Sequence, residues 1–302
     1  METIITAPPL DRKKYLGGSD VAGILGISPW RTPLDVYLDK VQPRVETPDA
    51  AKLRVLNRGK RMEPYVIDLL AEETGLEIIQ RGQRYRDREL DFIAAEIDAE
   101  AASGENIEIK TVSPFKAKQW GEQQTDEIPV YYAAQAMHGL MVTGAPKCVF
   151  GVLIGGDDFR VYEVIRDEPT ITGIREAEID FWRRVQTLDP PEPSTVSDIM
   201  RLYGQGDDAL AVEADDQTEA EWLRLKSLTD DLKRMGDQAD RLKESLQLRM
   251  GNATHLTLRG ATLATWKGQQ SRRFDSTAFK SAYPDMYEKF IKTSASRVFR
   301  LK

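Results

Sequence analysis

Residues 106–112, Asn-Ile-Glu-Ile-Lys-Thr-Val, alternate polar and apolar side chains. That alternation, with β-branched residues at Ile107, Ile109, Thr111 and Val112, suits a pleated, half-buried strand. A period of two sends Glu108 and Lys110 to the same face. Phe92 to Ile97 is a second short apolar run, and Ser103-Gly104-Glu105-Asn106 lies between the two as a turn, so the pair reads as a hairpin. The hairpin puts Asp98 at a strand end beside Glu108. Two carboxylates that close repel unless something positive sits between them, and hard oxygen donors at that spacing suit Mg²⁺ or Mn²⁺. Lys110, next to the same point, is placed to orient or deprotonate a water. The same Glu-x-Lys spacing also serves as a solvated ion pair on an edge strand, so the rest of the chain has to decide.

At 302 residues the chain has room for one large domain, or a core domain with an appendage. A net charge of -7 argues against a protein that coats nucleic acid along its whole surface. It leaves room for local contacts: basic residues cluster at Arg12-Lys13-Lys14, between Lys52 and Arg61, and between Arg81 and Arg88. The single cysteine, Cys148, excludes an internal disulfide framework and a cysteine-ligated zinc or iron–sulfur site. No apolar run is long enough to span a bilayer, and the first residues lack a basic region followed by an apolar stretch. A cytoplasmic protein without a membrane span is therefore expected.

Read in order, residues 1–9 form a loose arm. Ser19 is a good N-cap for a helix carrying Val21, Ile24 and Leu25, with Gly26 closing it. A helix start preceded by Gly17 and Gly18 offers free N–H groups to an anion, and is equally the start of an ordinary capped helix. Thr32 with Asp35 opens a second helix, residues 43–48 form a loop, and residues 50–74 form a long helix containing Glu63 and Pro64. Strands near 76–80 and 83–85 lead into the hairpin. A helix follows Ile128-Pro129, with Tyr131, Ala134, His138 and Met141 on one stripe, so His138 reads as a packed histidine. Gln135 is next to that stripe. Two strands flank Gly155-Gly156-Asp157-Asp158. A helix over 171–188 precedes Pro190, Pro191 and Pro193, which end the first domain.

Beyond it the expected organisation is an acidic linker over 191–221, a heptad helix over 222–250 and a small α+β module over 251–302. Leu225, Leu228, Leu232, Met235, Ala239, Leu242 and Leu246 recur at alternating spacings of three and four. The module reads as a hairpin turned at Gly260-Ala261, one helix over 275–283 and a closing strand over 296–302. Arginines and aromatic residues interleave in it, as in DNA-contacting surfaces, and an oligomerisation module reads equally well.

The D…ExK pattern of Asp98, Glu108 and Lys110 is that of the PD-(D/E)xK nucleases. Over residues 10–190 the chain resembles the YqaJ-like viral-recombinase exonucleases, the group that includes lambda exonuclease. The resemblance rests on Gly17-Gly18-Ser19-Asp20 followed by Gly26-Ile-Ser-Pro29-Trp30-Arg-Thr-Pro33. It continues with Gly59-Lys-Arg-Met-Glu63-Pro, Asp98, Glu108-Ile-Lys110, Tyr131-Tyr132-Ala-Ala-Gln135 and Val142-Thr-Gly144. Two departures stand out. Asp98 lies between Ile97 and Ala99 where the family usually has Pro and Gly, and Met137 stands where a second Gln is common.

The resemblance implies an α/β (α+β) restriction-endonuclease-like core, a central mixed sheet flanked by helices, followed by the coiled-coil-like helix and the small tail. It implies a metal cluster of Glu63, Asp98 and Glu108 with the backbone carbonyl of Ile109, holding two Mg²⁺ or Mn²⁺ ions. Lys110 would position or activate the attacking water, and Gln135 would steady the centre. Ser19 and Arg12 would hold a 5′-phosphate. The implied activity is 5′-to-3′ digestion of double-stranded DNA ends for phage-type recombination in the host cytoplasm. A ring-shaped homo-oligomer, commonly a trimer, and a single-strand annealing protein are the implied partners. An endonuclease or nickase on the same core, or a catalytically silent DNA-end-binding assembly protein, are the alternatives.

Overall fold

The structure, a computed structural model, describes residues 11–42, 50–293 and 296–302. The arm read over residues 1–9 and the loop read over 43–48 lie outside them. Strand β3 (Asn106–Val112) occupies the middle of a five-stranded sheet, between β2 (Ala94–Ala101) and β4 (Lys147–Ile154), with β1 (Ile78–Arg86) and β5 (Asp158–Ile165) outside them. A solvated ion pair on an edge strand is therefore not what Glu108 and Lys110 make. Strands β1, β2 and β3 pair antiparallel, β3 and β4 parallel, and β4 and β5 antiparallel. Parallel neighbours cannot be joined by a tight turn, so helix α4 (Val130–Thr143) supplies the crossover. The sheet is mixed and flanked by helices, as the α/β core requires.

The two faces of the sheet are covered by different helices. Helix α3 (Ala50–Thr74) lays Val66, Ile67 and Leu70 against Ile107, Ile109, Val149 and Leu153. On the other face, Met137, Leu140 and Met141 of α4 pack with Ile97, Phe150, Val152 and Tyr162, joined by Ile171 and Ile174 of helix α5 (Glu168–Thr187). Each such side chain contributes about 1.5–3 kcal/mol when fully buried, and a one-residue slip of β3 would turn Glu108 and Lys110 onto the apolar α3 face. Burial thus fixes which face carries the charges. Helices α1 (Gly18–Ile24) and α2 (Pro33–Val41) precede α3, and Leu16, Leu34, Val36 and Tyr37 form a third cluster with Phe181 of α5. Thr32 and Asp35 make the anticipated capping box at the start of α2.

Several local readings change. The pieces expected at 76–80 and 83–85 are one strand, β1, which continues through Gly82 because that residue takes φ +63°. Asp98 lies inside β2 rather than at its end. The β1–β2 register runs Gln83↔Ile97 and then Arg81↔Ala99, so Gly82 faces Asp98 across the ladder. Ala95 and Ile97 pack on the α4 side while Ala99 and Ala101 pack on the α3 side, so β2 changes face at Asp98. Gly82→Ala is expected to cost about 1–2 kcal/mol, the penalty of a left-handed conformation for a residue with a Cβ. Thermal denaturation measures it, and an unchanged Tm would mean that β1 does not need the left-handed residue.

The third change concerns residues 191–221. They are not all linker: helix α6 (Val196–Tyr203) lies within them, and helix α7 (Asp216–Met250) begins there. Asp198 is buried, accepts from the Thr32 hydroxyl at 2.9 Å and from the Ser194 and Thr195 N–H groups at 3.1 and 3.2 Å, and so fastens α6 to the cap of α2. The chain divides into units at 1–202 and 203–302. In the second unit, α7 carries the heptad seam, with Leu225, Leu228, Leu232, Met235, Leu242 and Leu246 exposed. The expected hairpin is there, β6 (His255–Leu258) with β7 (Ala261–Thr265). The single helix expected over 275–283 is two, α8 (Ser276–Ala282) and α9 (Pro284–Phe290), because Pro284 has no N–H to continue the first and starts the second. Residues 296–302 form no strand. No helix among the described residues is long and apolar enough to cross a membrane.

Candidate active site

Strand β3 presents Glu108 and Lys110 toward α4, and α4 answers with Gln135, whose Nε2 donates to Glu108 Oε1 at 2.5 Å. Lys110 Nζ donates to the same oxygen. From β2, Asp98 Oδ2 accepts the Ile109 N–H at 2.8 Å, which ties the two strands where their regular pairing, Ala99↔Ile107, stops. Glu108, Lys110 and Gln135 are thus one hydrogen-bonded group, and Asp98 is tied to the same strand through the Ile109 N–H. Burial and then the charge on Glu108 push the Asp98 carboxyl up to about 7, against the pull of Lys110 and the Ile109 N–H. Burial disfavours the charge on Lys110, but Glu108 and Asp98 outweigh it and hold the ammonium above its ordinary value. Lys110 is therefore a fixed positive charge here, with its Nζ 5.0 Å from the centre of the Tyr132 ring.

Arg12 and Ser19 meet directly, Arg12 Nη2 donating to Ser19 Oγ at 2.6 Å. Ser19 is not the N-cap. Gly17 is, with its N–H donating to Asp20 Oδ2 at 3.2 Å, so the Ser19 hydroxyl is left for the cavity side. A cavity of about 210 Å³ is lined by Arg12, Ser19, Asp98, Glu108 and Gln135 together. Two sets of residues separated by about 80 positions share one space. Gly18 makes this possible, because a Cβ there would stand 3.1 Å from the Gln135 side chain.

Glu63, on α3, is half-buried, and burial followed by the nearby Asp98 charge raises its carboxyl above the ordinary range. Among the described residues, no group of three or more His, Cys, Asp and Glu side chains is gathered to hold a metal ion. Glu63, Asp98 and Glu108 are accordingly not drawn into one ligand set: Glu108 is turned to Lys110 and Gln135, and Asp98 to the Ile109 N–H. The donor chemistry fits a hard divalent cation all the same. Two adjacent carboxylates, one of them raised to about 7 by burial and then by the charge of the other, form an arrangement that such a cation relieves.

Sequence reasoning passed over several supports of the site. Lys40 is buried and spends its three N–H bonds on Arg12 O at 2.8 Å, Tyr15 O at 2.7 Å and Asp20 Oδ2 at 2.8 Å. Arg31 reaches the other Asp20 oxygen at 3.0 Å. These bonds fix the segment that carries Arg12 and Ser19. On α4, His138 is a packed histidine, as its stripe suggests, and one paired with a buried carboxylate. Its Nδ1 faces Glu178 Oε1 at 2.7 Å and its Nε2 faces Ala94 O at 2.9 Å, and these two neighbours raise its pKa above the ordinary value against the pull of burial. A signal was present in each case. Lys40 follows Val36 and Tyr37, and Glu178 follows Ile171 and Ile174, at the three-to-four spacing of a buried stripe. A charge on such a stripe marks a buried pair.

Residues 10–146 match the YqaJ-like viral recombinase domain. The uncharacterized protein YqaJ of Bacillus subtilis (strain 168) is 29% identical over 305 residues, covering 97% of this chain and 92% of that one. Among solved structures, the chain is similar to an alkaline exonuclease, LHK-Exo, from Laribacter hongkongensis, with a TM-score of 0.47 and 17% identity over 59% of this chain and 91% of that one. It is also similar to a phage-related exonuclease from Haemophilus somnus 129PT, with a TM-score of 0.41 and 15% identity over 58% of this chain and 94% of that one.

Proposed function

The chain carries a YqaJ-like viral recombinase domain over residues 10–146, and from that premise we propose that it is a metal-dependent deoxyribonuclease degrading duplex DNA ends in the 5′-to-3′ direction. The observation that carries this reading is the shared cavity, in which Arg12 and Ser19 open onto Asp98, Glu108 and Gln135. A guanidinium beside a hydroxyl suits a terminal phosphate, and an acidic pair with a lysine suits phosphodiester hydrolysis. Bound at Asp98 and Glu108, with Glu63 and the Ile109 carbonyl as further donors, Mg²⁺ or Mn²⁺ would acidify a water and neutralise phosphoryl charge.

The chain's own residues supply the rest. Lys110, held as an ammonium, donates to the attacking water or to a non-bridging phosphate oxygen and offsets charge that grows as the bond forms. Gln135 keeps the Glu108 carboxylate oriented. Arg12 and Ser19 hold the 5′-phosphate that each hydrolysis leaves behind, so the strand is gripped for the next step. Recombination alongside a single-strand annealing protein, in a ring-shaped homo-oligomer, completes the proposal.

The test compares a linear duplex with a 5′-phosphate, the same duplex without it, and closed circular DNA, each in Mg²⁺ and in EDTA. Loss of linear DNA only, faster with the phosphate and absent in EDTA, is expected. Arg12→Ala and Ser19→Ala should each reduce the preference for the phosphorylated end by about tenfold, the worth of a charge-assisted hydrogen bond. Equal cutting of circles would make the protein an endonuclease. End binding with no cleavage in either Mg²⁺ or Mn²⁺ would make it an assembly protein.

A further inference from the structure

Residues 251–302 hold ten Lys and Arg against three Asp and Glu, a net charge of +7, which leaves -14 on the preceding 250 residues. A protein acidic overall thus carries a net positive charge in this one stretch. Among the described residues of that stretch none is buried, and none of its cations stands within salt-bridge distance of a carboxylate. The acidic run between Asp207 and Glu221 is in the same unit, yet the hydrogen bond that Arg297 makes in that unit is to a backbone carbonyl ahead of the run, Tyr203 O, at 2.8 Å. Among the described residues the positive charge is thus not paired with carboxylates, although Lys280 lies over the Tyr287 ring.

Large rings are exposed among these charges. Phe274 is 72% exposed, Phe290 79% and Phe299 82%, and Trp266 and Tyr283 are exposed as well. Arg272 and Arg273 directly precede Phe274, and Lys267 follows Trp266. Phe274, Phe279 and Tyr283 form a row with ring centres 5.0 and 5.5 Å apart. Neither strand of the β6–β7 hairpin and neither helix α8 nor α9 buries a residue, so the rings serve no core of the module's own.

From this we propose that residues 251–302 are a surface for single-stranded DNA, additional to the candidate active site. Cations that track a phosphate backbone, interleaved with rings on which bases stack, are the two parts of such a surface. Duplex DNA would use the charge but not the rings, because its bases are already stacked on one another. A second copy of the same surface would bring +7 against +7, so self-association through it is opposed. The inference rests on the nuclease reading only for its biological sense, since digestion of one strand of a duplex end exposes the other.

The experiment uses the full chain in EDTA, so that nothing is cut, and a fluorescein-labelled 20-nucleotide single strand followed by anisotropy over a range of salt. The variant Arg272→Ser/Arg273→Ser/Phe274→Ser is expected to bind about tenfold or more weakly, with the slope of log K against log salt shallower by about 1–2. Its Tm and its rate on duplex ends should match the parent's. Phe274→Ser alone should weaken binding without changing the salt slope, as loss of stacking requires. Unchanged affinity and slope in both variants would overturn the proposal, as would a change confined to the sedimentation mass, which would make the surface a protein contact. If duplex ends are degraded while single-strand affinity ignores the substitutions, this inference fails and the nuclease reading stands. Binding through residues 251–302 with no cleavage of any DNA would do the reverse.

Discussion

Lys110→Ala should lower the rate of phosphodiester cleavage by roughly a thousandfold, within the range set by loss of a positioned proton donor and a preorganised charge. The residue is held as an ammonium between Glu108 and Asp98, its Nζ donating to Glu108 and packing over Tyr132. Its removal takes away the one lysine in contact with the acidic pair while leaving Arg12 and Ser19 in place. Affinity for a 5′-phosphorylated duplex in EDTA should therefore change by less than about threefold, because rim and terminal phosphate contacts are separate from transition-state contacts. Single-turnover cleavage in Mg²⁺ and binding in EDTA, measured on the same preparations, separate the two effects. A rate close to the parent's would remove Lys110 from the chemistry. An affinity loss as large as the rate loss would make it a substrate-binding residue instead.

Glu178→Leu is expected to destabilise the fold by roughly 3–5 kcal/mol, the cost of leaving one partner of a buried ion pair unmatched. Glu178 and His138 are both fully buried, and Ala94 O on the far side of the ring accepts from Nε2. Beside an ionised Glu178, a neutral imidazole has one N–H and would leave one of those acceptors facing a lone pair. Burial lowers the histidine's pKa, but Glu178 and the Ala94 carbonyl outweigh it and raise it above 6.5. The sign follows from that direction. The folded state binds this proton more tightly than the unfolded state, so the pair's contribution is complete below pH 6.5 and is lost as pH rises through the higher folded value. Urea denaturation at pH 6 and pH 9 should show the gap between parent and Glu178→Leu narrowing at the higher pH. His138→Leu/Glu178→Leu should recover much of the loss, since apolar replacement of both partners removes the unmatched charge. A gap that stays constant with pH would mean that His138 is neutral throughout.

The site and the fold differ in how much of each could be read in advance. Period-two alternation is a local property, so the face shared by Glu108 and Lys110 was legible from seven residues, and the hairpin to Asp98 from twenty. Helices α3, α4 and α5 and the β4–β5 hairpin were legible for the same reason, each announced by its own spacing and turn residues. Local rules did not reach Gly82, whose left-handed φ matters because of the residue across the ladder from it. Nor did they reach the placement of α6, which depends on Thr32 meeting Asp198 from 166 positions away.

Read alone, the residues specify the inventory and its local order: which carboxylates lie on which strand face, and which stripes pack. Only the tertiary structure decided that β3 is a central strand, that Lys110 is held charged, and that Arg12 and Ser19 open onto the same cavity as Asp98 and Glu108. The physical reason is range. Backbone periodicity acts over a few residues, whereas burial and Coulomb interaction depend on which distant segments are brought within a few ångströms of one another.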